Sequence, residues 1–143
     1  MIYLLLAFLA GAILPFQAAI NATLRAPLGH AVWATFASFF VGTAALGLYL
    51  LAAQLPFPQK INQIAAWQWT GGLLGAFFVS LTIILTPKIG PATTFGLIIF
   101  GQLIASLTLD HFGWLGVPQH DLNAPRVLGA LFLLAGVFLI RRF

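Results

Sequence analysis

Two polar amide side chains lie near the end of the first apolar run of this sequence, where they could bind a solute. Gln17 and Asn21 are four residues apart and therefore share one face of a helix. Pro15 cannot donate a hydrogen bond to the carbonyl of Gly11, so it frees that carbonyl and bends the helix. Such a helix can line a polar cavity within a membrane. We predict that Gln17 and Asn21 bind substrate and that Pro15 contributes to gating; the alternative is that Asn21 caps or anchors the helix end near Arg25.

A second polar set lies in the fourth apolar run. Gln102, Ser106 and Asp110 are spaced by four residues, and polar residues within a span usually face the bundle interior or a wet cavity. Gln102 and Ser106 are predicted to bind substrate, with an interhelical hydrogen bond, worth about 0.6 kcal/mol on average, as the alternative. Asp110 is predicted to act in gating or coupling, with an interfacial ion pair to Arg126 as the alternative.

Small residues recur at intervals of four in the second, third and fourth runs. Such lines allow helix backbones to approach closely in lipid, either within one chain or between two chains. Ser38 lies on one of these lines and is assigned to the substrate-binding set. The remaining positions are predicted to form helix-packing or dimer contacts: Gly42, Gly71, Gly72, Gly75 and Gly101.

Several kinds of chemistry are missing from the sequence. No Asp or Glu lies in the middle of an apolar run, so no central carboxylate is present to exchange a proton for a cationic drug. The sequence has no H-E-x-x-H motif, no phosphate-binding glycine loop and no paired acid–base carboxylates. The absence of cysteine excludes disulfides and thiolate sites. We therefore predict no metal site, no cofactor and no enzymatic activity.

The composition shows what must position these polar residues. Hydrophobic residues make up 62% of the 143 residues and charged residues only 6%, whereas soluble domains carry about 25% charged residues. The six basic residues lie between apolar runs, which is typical of membrane flanks rather than of a nucleic-acid-binding patch. The predicted partner is therefore the lipid bilayer and not a nucleic acid.

Five apolar runs come close to the length of about 20 residues that a membrane-spanning helix needs. They cover residues 2–24, 31–53, 66–85, 91–109 and 127–140. The fifth run is short because Arg126 and Arg141 enclose it, so four spans and an interfacial helix are the alternative. We predict an all-α integral membrane protein, with a single transmembrane domain over residues 1–143 and five transmembrane helices per chain.

The basic residues give only a weak orientation signal. With five spans, Lys60 and Arg126 lie on one side of the membrane, and the other side receives Arg25, Lys88, Arg141 and Arg142. This distribution weakly favours a cytoplasmic C-terminus. The bias is small enough to permit insertion in both orientations, that is, a dual topology.

Several short motifs, in this order, resemble the YdcZ-like family of the drug/metabolite transporter superfamily. They are P-x-Q-x-x-x-N-x-x-L-R (15–25), A-S-F-x-V-G-T (37–43), G-G-x-x-G-A (71–76), P-x-x-G (87–90), G-Q-x-x-A-S-x-x-x-D-x-F-G (101–113) and R-x-x-G (126–129). The resemblance covers essentially the whole chain. It implies a short, multispan exporter of the inner (plasma) membrane.

The superfamily resemblance also implies an architecture. Larger members have ten helices in two inverted five-helix halves, and a five-span chain can reach that arrangement only as an antiparallel pair. Small multidrug resistance proteins pair in this way but carry a carboxylate in the first span, where this chain has Gln17 and Asn21. This departure argues against proton-coupled export of cationic drugs.

The function predicted from the sequence is membrane transport. A homodimer of ten helices, resembling the drug/metabolite transporter fold with its inverted repeat, would export a small polar or drug-like solute by alternating access. Two alternatives remain at this point: a passive dual-topology channel, and a small membrane subunit that needs a homologous partner.

Overall fold

The computed structural model describes residues 1–143, which form an all-helical chain. Its α-helices are α1 (Ile2–Leu28), α2 (Ala31–Ala52), α3 (Thr70–Ile89), α4 (Pro91–Phe112) and α5 (Ala124–Arg142). Short 3₁₀ turns cover Ile61–Gln63, Ala66–Trp69 and Trp114–Gly116. Five helical segments are long and apolar enough to cross a membrane, which confirms the predicted all-α class and the number of helices per chain. The ten-helix dimer and the single transmembrane domain over residues 1–143 stay predictions.

Helix α1 is longer than the apolar run that predicted it. It continues past residue 24 through Pro27 to Leu28, and Gly29, with φ of 74°, ends it in the left-handed conformation. The Gly29 N–H donates to the Arg25 carbonyl at 2.9 Å. Pro27 lies in the last turn of α1 and does not end the helix, whereas glycine adopts a positive φ without strain, so the chain turns at Gly29. Pro15 also lies inside α1, and the bend predicted there stays a prediction.

The gap between the third and fourth predicted spans, which end at residue 85 and begin at residue 91, is narrower in the structure. Helix α3 continues through Pro87 to Ile89, and Pro91 already occupies the start of α4. Gly90, with φ of 79°, alone separates the two helices. Proline is favourable in the first turn of a helix because its missing N–H would have no partner there.

Helix α5 extends beyond the two arginines that bounded the fifth apolar run. The Asn123 side chain accepts a hydrogen bond from the Arg126 N–H at 3.1 Å and caps the helix, which continues to Arg142. Arginine limits an apolar run but is a good helix former, so it does not end the helix. The 19 residues of α5 span roughly 28 Å, close to the hydrocarbon thickness of about 30 Å.

The chain forms two compact units, Met1–Lys88 and Ile89–Phe143, which we call unit one and unit two. In unit one, α1 packs on α2. The Thr35 hydroxyl donates to the Ala31 carbonyl at 3.0 Å and lies 2.9 Å from the Ser80 hydroxyl of α3. These contacts hold the three helices of unit one around a small core of Ala31, Ala34, Val79 and Ile83.

In unit two, α4 and α5 form an antiparallel pair. A Cβ atom placed on Gly96 of α4 would lie 3.0 Å from a Val137 methyl of α5, so the two helices approach closely there. The sequence lines of small residues did not single out Gly96. Nearer the other end of the pair, Arg126 of α5 contacts Asp110 of α4.

One of the five glycines predicted to form helix-packing or dimer contacts packs closely against another helix of the chain. Gly75 faces the Phe39 ring, whose nearest atom would lie 3.5 Å from an added Cβ atom. The other four glycines have open space around that position: Gly42, Gly71, Gly72 and Gly101. Large apolar side chains are also exposed on every α-helix, among them Phe8, Phe40, Leu73, Ile99 and Phe132. Lipid or another chain must cover such surfaces, and a dimer contact at the four open glycines stays a prediction.

Candidate solute-binding groove

A groove between α1 and α2 brings together three side chains that the sequence assigned to substrate binding. Gln17 and Asn21 come from α1 and Ser38 from α2, around a volume of about 530 Å³. Volumes of this size are typical of sites for small organic ligands. The rest of the lining is apolar: Ile13, Phe16, Ile20, Leu24, Ala37 and Val41.

The local sequence explains how the two helices present these residues. Gln17 and Asn21 share a face of α1 because they are one helical turn apart. Gly29 reverses the chain, and the His30 imidazole caps α2 by accepting a hydrogen bond from the Val32 N–H at 3.2 Å. The resulting helical hairpin places Ser38 opposite the amides, a pairing that the separate apolar runs did not indicate.

Asn21 is the least accessible polar residue of the groove. Its exposed fraction is 4%, and its buried Nδ2 atom has no hydrogen-bond partner in the chain. Helix α1 ends seven residues later, at Leu28, and Asn21 makes no capping hydrogen bond, so a capping role is wrong and an anchoring role stays a prediction. A buried polar atom without a partner costs about 1–3 kcal/mol, so it favours any ligand that supplies a partner.

Other polar groups of unit one also lack partners. Arg25, one turn beyond Asn21, is half-buried, and its guanidinium forms no hydrogen bond or ion pair. The buried Thr86 hydroxyl also lacks a hydrogen-bond partner. The sequence places Arg25 at a membrane flank and at the end of a family motif, and its spacing of four from Asn21 puts the two residues on one helix face. The α1 face thus presents a line of hydrogen-bond donors that the chain itself does not use.

The second predicted set is divided between a groove and an exposed position. Ser106 and Asp110 line a groove of about 540 Å³ between α4 and α5, with Arg126 on its edge. Gln102 is exposed and does not line that groove. Substrate binding by Gln102 and Ser106 stays a prediction.

Asp110 is held in the ion pair that the sequence left open as an alternative. The Arg126 Nη1 donates to Asp110 Oδ2 at 3.3 Å and to the His120 carbonyl at 3.2 Å. The His120 N–H donates to the Asp110 carbonyl at 2.8 Å. These contacts join both helices to their connecting loop, and a gating role for Asp110 stays a prediction.

The same loop is fixed further by His111. Its Nδ1 accepts a hydrogen bond from the Leu122 N–H at 3.3 Å and lies 3.8 Å from the Asp121 carboxylate. The Gln119 amide donates to the His111 carbonyl at 3.0 Å. Most polar side chains of this end of unit two therefore satisfy one another.

Comparison with known proteins identifies related sequences. Residues 2–139 match the model of a family described as "Putative inner membrane exporter, YdcZ". A segment of 86 residues is 37% identical to the Inner membrane protein YdcZ of Escherichia coli (strain K12). This segment covers 60% of the chain and 57% of the relative, so the match spans little more than half of that protein's length. No solved structure shows significant similarity to the chain.

Proposed function

The chain belongs to the YdcZ family of inner-membrane exporters, and from this premise we propose that it carries a small polar or drug-like solute by alternating access in a dimer. It is a multi-pass protein of the inner membrane, with five helices of spanning length. The family description favours transport over catalysis.

The groove between α1 and α2 carries this proposal. It combines a volume suited to a small solute with the amides of Gln17 and Asn21 and the hydroxyl of Ser38. The unpaired, buried Asn21 amide supports a ligand-binding role because a purely structural asparagine would be expected to have a partner. In our proposal these three side chains orient the solute, and the apolar walls bind its hydrocarbon part.

The number of helices and the exposed surfaces support the proposed dimer. An antiparallel pair of five-helix chains has ten helices in two inverted halves, an arrangement on which many transporters base alternating access. The open glycines Gly42, Gly71, Gly72 and Gly101 support close helix approach between chains. In our proposal Gln102 and Ser106 also bind the solute, whereas Pro15 and Asp110 contribute to gating.

Counterflow in reconstituted vesicles tests the transport proposal. The probes are four labelled aromatic solutes that differ in charge: benzenesulfonate, phenylalanine, benzamide and benzyltrimethylammonium. We expect saturable counterflow of at least one probe, with a large loss in Gln17→Ala and Asn21→Ala. Gln63→Ala, in the exposed turn after α2, is the matched control and should leave transport unchanged. Saturable counterflow that both groove variants retain would refute the site, and the absence of counterflow for every probe would refute the transporter.

One observation favours a passive channel as a second candidate. Asp110 is the one Asp or Glu within the helices, and it is already paired with Arg126, so no free carboxylate is available to couple flux to protons. A channel would give flux that rises linearly with concentration and shows no counterflow. Saturation and counterflow would exclude it.

Oligomeric state and topology test the dimer. A homodimer in detergent, together with C-terminal reporters that are active on both sides of the membrane, would support the antiparallel pair. A single orientation would favour a parallel pair. A monomer that is inert without a homologous partner would instead identify an accessory subunit.

A further inference from the structure

We propose that the groove between α1 and α2 selects a small amphipathic organic anion. In this proposal, the Asn21 amide and the Arg25 guanidinium bind its anionic oxygens, and the apolar walls of the groove contact its hydrocarbon body. The inference rests on the proposed transport function, because it names the class of solute that this site accepts.

The distribution of charge in the chain is the first argument. Unit one contains the cations Arg25, Lys60 and Lys88 and has no Asp or Glu. Both acidic side chains of the chain, Asp110 and Asp121, belong to unit two. Arg25 is the one of these cations that lies on the helix face of Gln17 and Asn21, so a solute at this face meets positive and no negative charge, which favours anions over cations.

The donor line on α1 is the second argument. Gln17 and Asn21 line the groove, and Arg25 follows four residues later on the same face of α1, beyond the lining residues. Helical side chains lean toward the N-terminus, so the stem of Arg25 covers the turn that holds Asn21. Neither the Asn21 Nδ2 atom nor the Arg25 guanidinium has a partner in the chain.

An anionic oxygen would satisfy both groups at once. Hydrogen bonds in which one partner is charged are shorter and stronger than neutral ones, and guanidinium groups match the geometry of planar oxyanions. A cationic head group would leave the Asn21 donor unpaired and would face the like charge of Arg25. The chain has no carboxylate in unit one that could offset that repulsion.

The apolar lining determines the rest of the solute. Six of the nine lining residues are apolar, including Phe16 and Ile20 of α1 and Val41 of α2. A strongly hydrated inorganic anion would gain nothing from these walls. The lining is therefore complementary to an organic anion with a compact hydrocarbon body, such as an aromatic carboxylate or sulfonate.

Arg25 also lies at the end of a predicted span, where basic residues influence membrane topology. The test must therefore separate an effect on topology from an effect on anion binding. Lys88 provides the matched control, because it is exposed at the end of α3 and is expected on the same side of the membrane as Arg25. Lys88→Gln removes one positive charge from unit one without changing the α1 face. Arg25→Lys keeps the charge at position 25.

Equilibrium binding to purified protein in detergent is the decisive measurement, with labelled benzenesulfonate, benzamide and benzyltrimethylammonium as anionic, neutral and cationic probes of similar size. We expect benzenesulfonate to bind best. Asn21→Ala and Arg25→Gln should each weaken its binding by about tenfold or more, as expected for the loss of a hydrogen bond to a charged group. Arg25→Lys should lose less than Arg25→Gln, and Lys88→Gln should bind like the wild type.

The isosteric variant Asn21→Asp extends the test, because it retains the shape of the groove and introduces a negative charge into its lining. We expect it to lose benzenesulfonate binding and to gain affinity for benzyltrimethylammonium, while its elution volume in size-exclusion chromatography stays that of the folded protein. Should Asn21→Asp not fold, the comparison of Arg25→Gln with Lys88→Gln decides. Equal binding of the anion and the cation to the wild type, or equal losses in Arg25→Gln and Lys88→Gln, would overturn the inference.

The outcomes also separate this inference from the transport proposal. Anion binding without counterflow of any probe would support the inference and refute the transporter. Saturable counterflow of benzyltrimethylammonium but not of benzenesulfonate would support the transporter and refute anion selectivity.

Discussion

The two units of this chain treat their polar residues in opposite ways. Unit one, Met1–Lys88, has no acidic side chain and leaves the buried Asn21 amide and the buried Thr86 hydroxyl without partners. Unit two, Ile89–Phe143, contains both acidic side chains: Asp110 is paired with Arg126, and Asp121 lies 3.8 Å from the His111 Nδ1 atom, which accepts a hydrogen bond from Leu122. Burial of a polar group is unfavourable unless the group is paired. Polar burial should therefore lower the free energy of unfolding in unit one more than in unit two.

This difference separates a structural role from a ligand-binding role. The paired groups of unit two connect α4, α5 and their loop, and they have little bonding capacity left for a solute. The unpaired amide in unit one decreases stability unless a ligand completes it. Substitution of polar residues should therefore change stability in opposite directions in the two units.

The largest effect on stability is expected from a substitution that tests helix packing in unit two. Gly96→Leu places a side chain against Val137, whose nearest methyl would lie 3.0 Å from the new Cβ atom. Overpacking of this kind costs about 1–3 kcal/mol, so the thermal unfolding temperature in detergent should fall. Gly136→Leu on α5, the other helix of this pair, is the matched control, because its Cβ position is open within the chain. If Gly96→Leu unfolds at the wild-type temperature, the close approach of α4 and α5 is wrong.

Asn21→Leu is expected to increase stability, in contrast to Gly96→Leu. It replaces a buried amide that lacks a partner with an apolar side chain of similar volume, and should raise the free energy of unfolding by about 1 kcal/mol. The same variant should lose solute binding in the groove. Thermal unfolding in detergent without added solute measures the gain, with Ala19→Leu on an exposed position of α1 as the control for added hydrophobicity. A loss of stability in Asn21→Leu would contradict the contrast between the units.

Asp110→Asn should destabilise unit two slightly. It removes the charge from a pair whose two side chains are about one-third exposed, with fractions of 31% and 33%. Partly exposed ion pairs contribute at most about 1 kcal/mol, and solvent screening reduces that value. Chemical unfolding at low and high salt would show the effect, which should shrink as the salt concentration rises. Solute binding to the groove of unit one should not change.

The smallest effect is expected for Asp121→Asn. This carboxylate is 82% exposed and lies 3.8 Å from the His111 Nδ1 atom, so water and salt screen the pair. The unfolding temperature should match that of the wild type within experimental error. A decrease as large as that of Asp110→Asn would show that the loop depends on both carboxylates equally.

Much of the fold could be predicted from the sequence, because apolar runs of spanning length have few other structures available to them in a membrane. The helix ends could not be placed as well. The apolar runs predicted that the first span ends at residue 24 and that the fifth begins after Arg126. In the structure α1 ends at Gly29, and α5 begins after the Asn123 cap. Charge determines where hydropathy falls, but caps and backbone conformation determine where a helix ends.

The sequence predicted which groove residues share a face of one helix, but not which residues of the second helix lie opposite them. The spacing of Gln17 and Asn21 placed them on one face, but no sequence pattern showed that Ser38 would lie across the same groove. Gly96 was missed for a related reason: its close contact depends on Val137, 41 residues later in the chain. Contacts between helices depend on how the helices rotate and cross, and local spacing does not encode that.

The confinement of both carboxylate side chains to the α4–α5 connection has a consequence for chemical modification. A carbodiimide activates carboxyl groups, so among the side chains it can modify only Asp110 and Asp121. Inactivation by such a reagent would therefore report on that connection and never on a direct block of the groove in unit one. Conversely, an arginine-selective dicarbonyl would reach Arg25 in unit one, and protection by a bound anion would be its signature. The dicarbonyl also reacts with Arg126, Arg141 and Arg142 of unit two, so protection by a bound anion, and not reactivity alone, would identify Arg25.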